Sequence, residues 1–330
     1  MRVAAIDCGT NSIRLLVADG AAGAGPSHPG STSSTTTQVL RRVEVVRLGY
    51  GVDATGVISA ESMGRALAMT REYAAVCAQL GVEAVKFVTT SAARDARNAH
   101  EFISGVRQAF ADTGMADVAP QVLSGEQEAY LSFLGATGDL ASDATPYLVV
   151  DLGGGSTEFV RGGGDAAGGV DATLSVDMGC VRMSERYLRE SPPSGEAIAA
   201  ALADIDAHLD RVDQVVGLAG VGTLVGVAGT VTTLTAHALR LPAYDSDSVH
   251  LARLDIDEVL RACGDMLAAD RSTLAALPYM HPGRVDVIAA GALIWARTIA
   301  RVTEASGIDS VLTSEHDILD GIALSLLRAR

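Results

Sequence analysis

Tyr147-Leu148-Val149-Val150, followed by Asp151-Leu152-Gly153-Gly154-Gly155-Ser156-Thr157, repeats at the same spacing the start of the chain, where Ala4-Ala5-Ile6 leads into Asp7-Cys8-Gly9-Thr10-Asn11-Ser12. In each copy an apolar strand ends in an aspartate, and glycine and small hydroxyl residues follow. Backbone N–H groups in such a turn can close around phosphate oxygens while the aspartate holds a cation. One glycine-rich turn by itself needs no ligand, because positive φ or a tight hairpin already calls for glycine. Two copies in register predict a duplicated fold with a cleft between its halves.

The duplication extends beyond the loops. Each is followed by a second apolar strand, Ile13 to Ala18 and Thr157 to Val160, and by a third segment ending in glycine, Arg47-Leu48-Gly49 and Val176-Asp177-Met178-Gly179. In the first half the second and third strands are separated by Ala21 to Thr37, a Gly/Ser/Thr/Pro tract that reads as a flexible, exposed hairpin extension without an assigned function.

A chain of 330 residues is about twice the usual domain size, in keeping with two domains. No stretch of about 18 uninterrupted apolar residues occurs, and the N-terminus enters a strand with no basic region or cleavage site, so neither a membrane span nor a signal peptide is expected. The expected location is cytoplasmic. Cys8, Cys77, Cys180 and Cys263 form no CxxC pair, which argues against a zinc site and fits reduced thiols. The net charge of −15 repels polyanions at long range and gives no support to nucleic-acid binding, so a phosphate site must be a local concentration of donors. Lys86 is the only lysine; the remaining basic residues are arginines, which suit bidentate phosphate contacts and equally suit a GC-rich genome.

The pattern predicts a helix over Ala60 to Leu80 capped by Ser59 and stopped by Gly81, a strand at Ala84 to Thr89, a polar segment Thr90 to Asn98, a helix over Ala99 to Ala111, and a strand at Val122-Leu123 before the turn Ser124-Gly125. This order describes a mixed sheet covered by helices. The second half repeats it, with helices over Val181 to Arg189 and Gly195 to Val212 and a strand at Val225 to Val227. Asp204, Asp206, Asp210 and Asp213 lack the glycine and distal glutamate of a calcium loop and read as a solvated helix face. Trp295 reads as a packing residue within a helix over Val285 to Val302. The segment Ile318 to Leu327 reads as an apolar helix able to pack back on the first domain.

The two loops, the segment Thr90 to Asn98, the run Ser124-Gly125-Glu126-Gln127-Glu128-Ala129 and the turn Val227-Ala228-Gly229-Thr230-Val231-Thr232 together resemble the exopolyphosphatase and guanosine pentaphosphate phosphohydrolase family. Gly179-Cys180-Val181-Arg182 with Glu185, and Arg284-Val285-Asp286-Val287-Ile288, extend the match over nearly the whole chain. The resemblance implies an α/β fold of two duplicated actin/Hsp70/sugar-kinase-like (ribonuclease H-like) domains with the active site in an interdomain cleft that closes by a hinge. The expected domains are 1–125 and 126–307, with a C-terminal helix at about 308–330 returning to the first.

It further implies removal of a terminal phosphate from inorganic polyphosphate, or of the γ-phosphate from guanosine pentaphosphate, with Mg2+ or Mn2+. Phosphoryl transfer to water depends on positioning and charge stabilisation more than on covalent chemistry. By resemblance, Glu128 orients or deprotonates the attacking water. On the residues alone, Glu126 and Glu128 read equally well as carboxylates favouring the positive end of a helix that begins near Gly125. Asp151 and Glu158 are the leading cation ligands, with Asp7 as the symmetry-related carboxylate, although an aspartate at a strand end also bonds turn amides. Arg94 is expected to reach phosphoryl oxygens, its alternative being an ion pair with a nearby carboxylate. Thr10, Asn11, Ser12, Gly153, Gly154, Gly155, Ser156, Cys180, Gly229 and Thr230 are expected to donate amide or hydroxyl hydrogens to substrate, Cys180 through its backbone.

The chain departs from the family in two places. Many members end with Leu-Arg-Glu-Gly, whereas this chain reads Ile318-Leu319-Asp320-Gly321, placing Leu319 where an arginine is expected. It also stops at Arg330, without the helical C-terminal domains of longer members, so less processive action on shorter polyphosphate is expected. A homodimer is usual for the family, but no stripe in this sequence demonstrates one. Two other readings remain: a sugar or acetate kinase on the same fold, and a polyphosphate or nucleotide sensor without catalysis.

Overall fold

The computed structural model describes residues 1–20, 36–140, 145–163 and 169–328. The tract expected as an exposed hairpin extension lies outside the described residues except for Thr36 and Thr37, which open the third strand. By its contacts the chain divides into two units, Met1–Leu140 with Ile318–Arg330, and Ala141–Asp317.

In the first unit, β1 (Arg2–Cys8) is flanked by β2 (Ser12–Gly20) and then β3 (Thr36–Val45). Next come α1 (Val52–Thr55), α2 (Ala60–Gln79), β4 (Ala84–Thr89), α3 (Ser91–Asp95), α4 (Ala99–Ala111), β5 (Gln121–Val122) and α5 (Gly125–Ala136). Side chains alternate across a strand, so β1 serves two cores. Ala4, Ile6 and Cys8 pack with Tyr73, Phe87, Phe102 and Phe110, while Val3 and Ala5 pack with Leu16, Leu123, Leu131, Ile318, Leu319 and Ile322.

The second unit contains β6 (Tyr147–Leu152), β7 (Thr157–Gly162), β8 (Val170–Val176), α6 (Cys180–Arg186), α7 (Gly195–Val215), β9 (Thr223–Val227), α8 (Ala228–Ala238) and α9 (Ser246–Val249). It continues through β10 (Arg253–Asp255), α10 (Ile256–Ala268), α11 (Arg271–Ala276), α12 (Ile288–Ser306) and β11 (Ser310–Thr313) before α13 (Ile318–Arg328) rejoins the first unit. Trp295 is buried over Gly226 of β9, the packing role expected of it.

The sheet orders show the duplication. The first runs β3-β2-β1-β4-β5 and the second β8-β7-β6-β9-β11-β10. In both, two antiparallel pairings precede two parallel ones, and β10 adds an antiparallel edge to the second. This is the duplicated fold that the two loops predict, in the α/β class that the family resemblance implies.

Several expectations shift. The first unit continues past 125 because α5 packs on α13, and the closing helix begins at Ile318 because 310–313 pairs into the second sheet as β11. Thr90 to Asn98 contains the short helix α3. The aspartates of α7 are not simply solvated: Asp206 takes Arg297 at 2.6 and 3.1 Å, Asp210 takes Arg301 at 2.7 Å, and Asp204 accepts from the Tyr187 hydroxyl at 3.1 Å. Arg297 and Arg301 are four residues apart on α12, so the acidic face of α7 meets a basic face of α12. Among the described residues no helix is long and apolar enough to cross a membrane.

Candidate functional site

In each unit the candidate residues follow the carboxyl ends of parallel strands, where α/β sheets place their ligands. In the first, Asp7 lies at the end of β1 with its loop following, Arg94 follows β4, and Glu128 follows β5. In the second, Asp151 lies at the end of β6 with its loop following, and Gly229 and Thr230 follow β9.

Loop one is closed by a Gly9 N–H bond to the Ser12 carbonyl at 2.9 Å, and loop two by the equivalent Gly153 N–H bond to Ser156 at 3.1 Å. The stretch leading to Gly49 and the first turn of α6 after Gly179 then hold the loops. Val46 and Arg47 donate to the Asn11 carbonyl at 3.0 and 2.8 Å, and Gly49 donates to Thr10 at 2.8 Å. In the second unit Cys180 donates to Gly153 at 3.0 Å, Val181 and Arg182 donate to Gly154 at 2.8 and 3.2 Å, and the Arg182 guanidinium takes the Gly155 carbonyl at 2.7 Å. A Cβ at Gly49 would overlap the Thr10 side chain, and one at Gly179 would overlap the Gly154 backbone.

This clamp sets the direction of the amides. A trans peptide points its C=O and the following N–H in opposite directions. With the carbonyls of Gly153, Gly154 and Gly155 held by the clamp, the N–H groups of Gly154, Gly155 and Ser156 are directed away from it. The Asn11 N–H turns away from Gly49 in the same manner. The Cys180 N–H, expected to reach substrate, is engaged in the clamp instead. Its thiol is pushed up to about 11 by burial, against a hydrogen bond from Thr230 and the nearby Arg284 charge, and is therefore neutral at ordinary pH.

The loop aspartates have contrasting partners. Asp7 pairs across β1 and β2 with Arg14, whose Nη2 and Nε reach Oδ2 at 2.7 and 3.1 Å. Asp151 pairs across β6 and β7 with Glu158, which is 1% exposed and accepts from Ser175 of β8 at 2.6 Å. Two carboxylates directly opposite on one sheet face are mutually destabilising, and their hard oxygens suit a divalent cation such as Mg2+. Asp7 already carries a cation, Arg14, that inspection of the loop alone did not reveal.

Glu126 and Glu128, equal by sequence, separate in the fold. Ser124 caps α5 in a capping box with Gln127, leaving Glu126 exposed and Glu128 buried. Arg94 Nη1 meets Glu128 Oε2 at 3.2 Å and the Leu123 carbonyl at 2.9 Å. The two leading candidates of the first unit are thus in contact. Leu319 is fully buried in the α5–α13 core, and its neighbour Asp320 pairs with Arg41.

Arg284, noted in the sequence only as part of a matching run, lies beside the candidate residues Gly229 and Thr230. Its guanidinium lies against Gly229, where a Cβ would overlap it, and Nη1 bonds Thr233 Oγ1 at 2.9 Å. Gly229 is the second residue of α8, which no side chain caps, and Ala228 before it has φ of 72°. A cation at the positive end of a helix opposes the helix dipole, and an anion held between guanidinium and amides reverses the sign. Strained backbone at such a turn accords with a binding role. The pairing of Arg284 with Gly229 spans 55 residues, which explains why no local signal exposed it.

Paired loops, a basic helix N-terminus and carboxylates at strand ends define an enzyme built to handle phosphoryl groups. The Ppx/GppA phosphatase family model matches residues 29–326. Exopolyphosphatase 2 of Mycobacterium tuberculosis is 43% identical over 327 residues, covering 98% of either chain. A solved exopolyphosphatase-like protein superposes with a TM-score of 0.90 at 40% identity, covering 100% of this chain and 99% of that one. The guanosine-5'-triphosphate,3'-diphosphate pyrophosphatase of Aeromonas salmonicida is 28% identical over 98% of this chain and 59% of its own length. The chain belongs to the Ppx/GppA phosphatase family and is an enzyme.

Proposed function

We propose that the enzyme is an exopolyphosphatase that hydrolyses the terminal phosphate of inorganic polyphosphate with Mg2+, Mn2+ being an alternative ion. The observation that carries this reading is the 43% identity to an exopolyphosphatase along the full length of both chains, against 28% to the guanosine pentaphosphate enzyme. The residues support it chemically. Asp151 and Glu158 hold the cation, which when bound neutralises charge on phosphoryl oxygens. The amides of Gly154, Gly155 and Ser156, the α8 N-terminus and Arg284 receive phosphate oxygens, which lack the donors that a nucleoside presents.

Glu128 orients the attacking water and accepts its proton, while Arg94, in contact with that carboxylate, fixes its orientation and offers its remaining N–H groups to phosphate. Thr10, Asn11 and Ser12 supply further donors. Asp7, held by Arg14, organises loop one. The alternative is guanosine pentaphosphate hydrolysis, favoured by the Aeromonas salmonicida relative.

The test is phosphate release from short polyphosphate, long polyphosphate and guanosine pentaphosphate, measured side by side with Mg2+. Preferential release from polyphosphate, reduced about 10²- to 10⁴-fold by Glu128→Ala, is expected for loss of a general base. Preference for guanosine pentaphosphate would establish the alternative, and binding without release would make the protein a sensor.

A further inference from the structure

The cation reading of Asp151 and Glu158 leaves Ser175 unexplained. The three residues occupy one row across three strands: Asp151 of β6 opposite Glu158 of β7, and Glu158 opposite Ser175 of β8. The corresponding row of the first unit is Asp7, Arg14 and Val43. There the middle residue is a guanidinium that completes the aspartate, and the third is apolar. In the second unit the middle residue is a carboxylate repelled by its neighbour, and the third is a hydroxyl that donates to it.

The Ser175 Oγ to Glu158 Oε1 distance is 2.6 Å, within the range of about 2.5–2.7 Å for a hydroxyl bonded to an ionised carboxylate. Glu158 is 1% exposed, so bulk water does not orient it. The serine bond restrains rotation of its carboxylate.

We propose that Ser175 is a positioning residue for the cation site: its hydroxyl holds the Glu158 carboxylate in the orientation in which Glu158 and Asp151 share one divalent ion. The proposal rests on the cation reading given above. It requires no contact between Ser175 and the ion, because the bond to Glu158 fixes the ligand before the ion arrives. Partners of this kind contribute about 10- to 100-fold to metal affinity.

The experiment is calorimetric titration of the full chain with Mn2+ alone, without phosphate, on the wild type, Ser175→Ala, Ser175→Thr and Glu158→Gln, with thermal unfolding in EDTA to confirm equal folding. Expected are Mn2+ binding by the wild type, about tenfold weaker binding by Ser175→Ala, near wild-type binding by Ser175→Thr, which restores a hydroxyl on a strand-compatible side chain, and none by Glu158→Gln. Equal affinity of Ser175→Ala and wild type would overturn the role of the serine while leaving the cation site intact. Equal weakening by alanine and threonine would also overturn it, assigning the effect to packing. No Mn2+ binding by the wild type, or full binding by Glu158→Gln, would remove the cation site itself and the proposal with it.

Discussion

Seven residues beyond its loop aspartate, the first repeat carries Arg14 and the second Glu158, and this difference divides the labour of the duplicated fold. The backbone turns, strand order and glycine-terminated clamps match. The residue facing the loop aspartate changes from a guanidinium to a second carboxylate. The first repeat pairs its aspartate with a guanidinium, and under the proposed function the second pairs its aspartate with a carboxylate to hold a cation.

The comparison is tested most severely through stability in EDTA, because the two exchanges should have opposite signs. The Asp7 and Arg14 side chains are 5% and 17% exposed, so Arg14→Met leaves a buried carboxylate uncompensated and should lower unfolding free energy by about 3–5 kcal/mol in urea titrations. Glu158→Gln removes one of two like charges and should leave stability unchanged or raise it by up to about 1 kcal/mol. Similar losses in both variants would show that the second pair is not strained without its ion.

The clamps give a smaller contrast. In Gly179→Ala the new methyl meets the Gly154 backbone, whereas in Gly49→Ala it meets the Thr10 side chain. Overpacking costs about 1–3 kcal/mol, and Gly179→Ala should lie at the upper end because backbone cannot rotate aside. Equal melting shifts would mean that both loops yield alike.

The smallest effect concerns the residue after each clamp glycine, Tyr50, 59% exposed, against Cys180, 6% exposed. Burial raises the Cys180 thiol from 9.0 to about 11, so the unfolded chain loses this proton first as pH rises. Its contribution is complete below pH 9 and is lost through pH 11, amounting to about 1 kcal/mol by pH 10. Cys180→Ala should flatten that part of the stability curve relative to wild type, and an unchanged slope would contradict the thiol's burial.

Local pattern exposed much of this architecture. The strand Ala84–Thr89 and the helix Ala99–Ala111 follow directly from apolar periodicity and their punctuation, and the third segments ending in Gly49 and Gly179 were recognisable before their clamping role was visible. The register pairs were not. Arg14 and Glu158 acquire meaning only when β1 meets β2 and β6 meets β7, and the α7 aspartates only when α12 lies beside them. Helices α10 and α11 carry no motif that a reading centred on the duplication would notice. Glu126 and Glu128 show the limit most plainly: they are identical in type, two residues apart, and separated only by which side of α5 faces the interior.

The interrupted first unit also sets an order of events during synthesis. Val3, Ala5, Leu16 and Ala18 are covered by Ile318, Leu319 and Ile322, which are translated after the whole of Ala141–Asp317. The segment Ala141–Asp317, contiguous in the chain, can assemble while the earlier half still waits for its closing helix. Until α13 arrives, one face of the first sheet remains a nascent apolar surface, so maturation of the amino-terminal half waits on synthesis of residues 318–328.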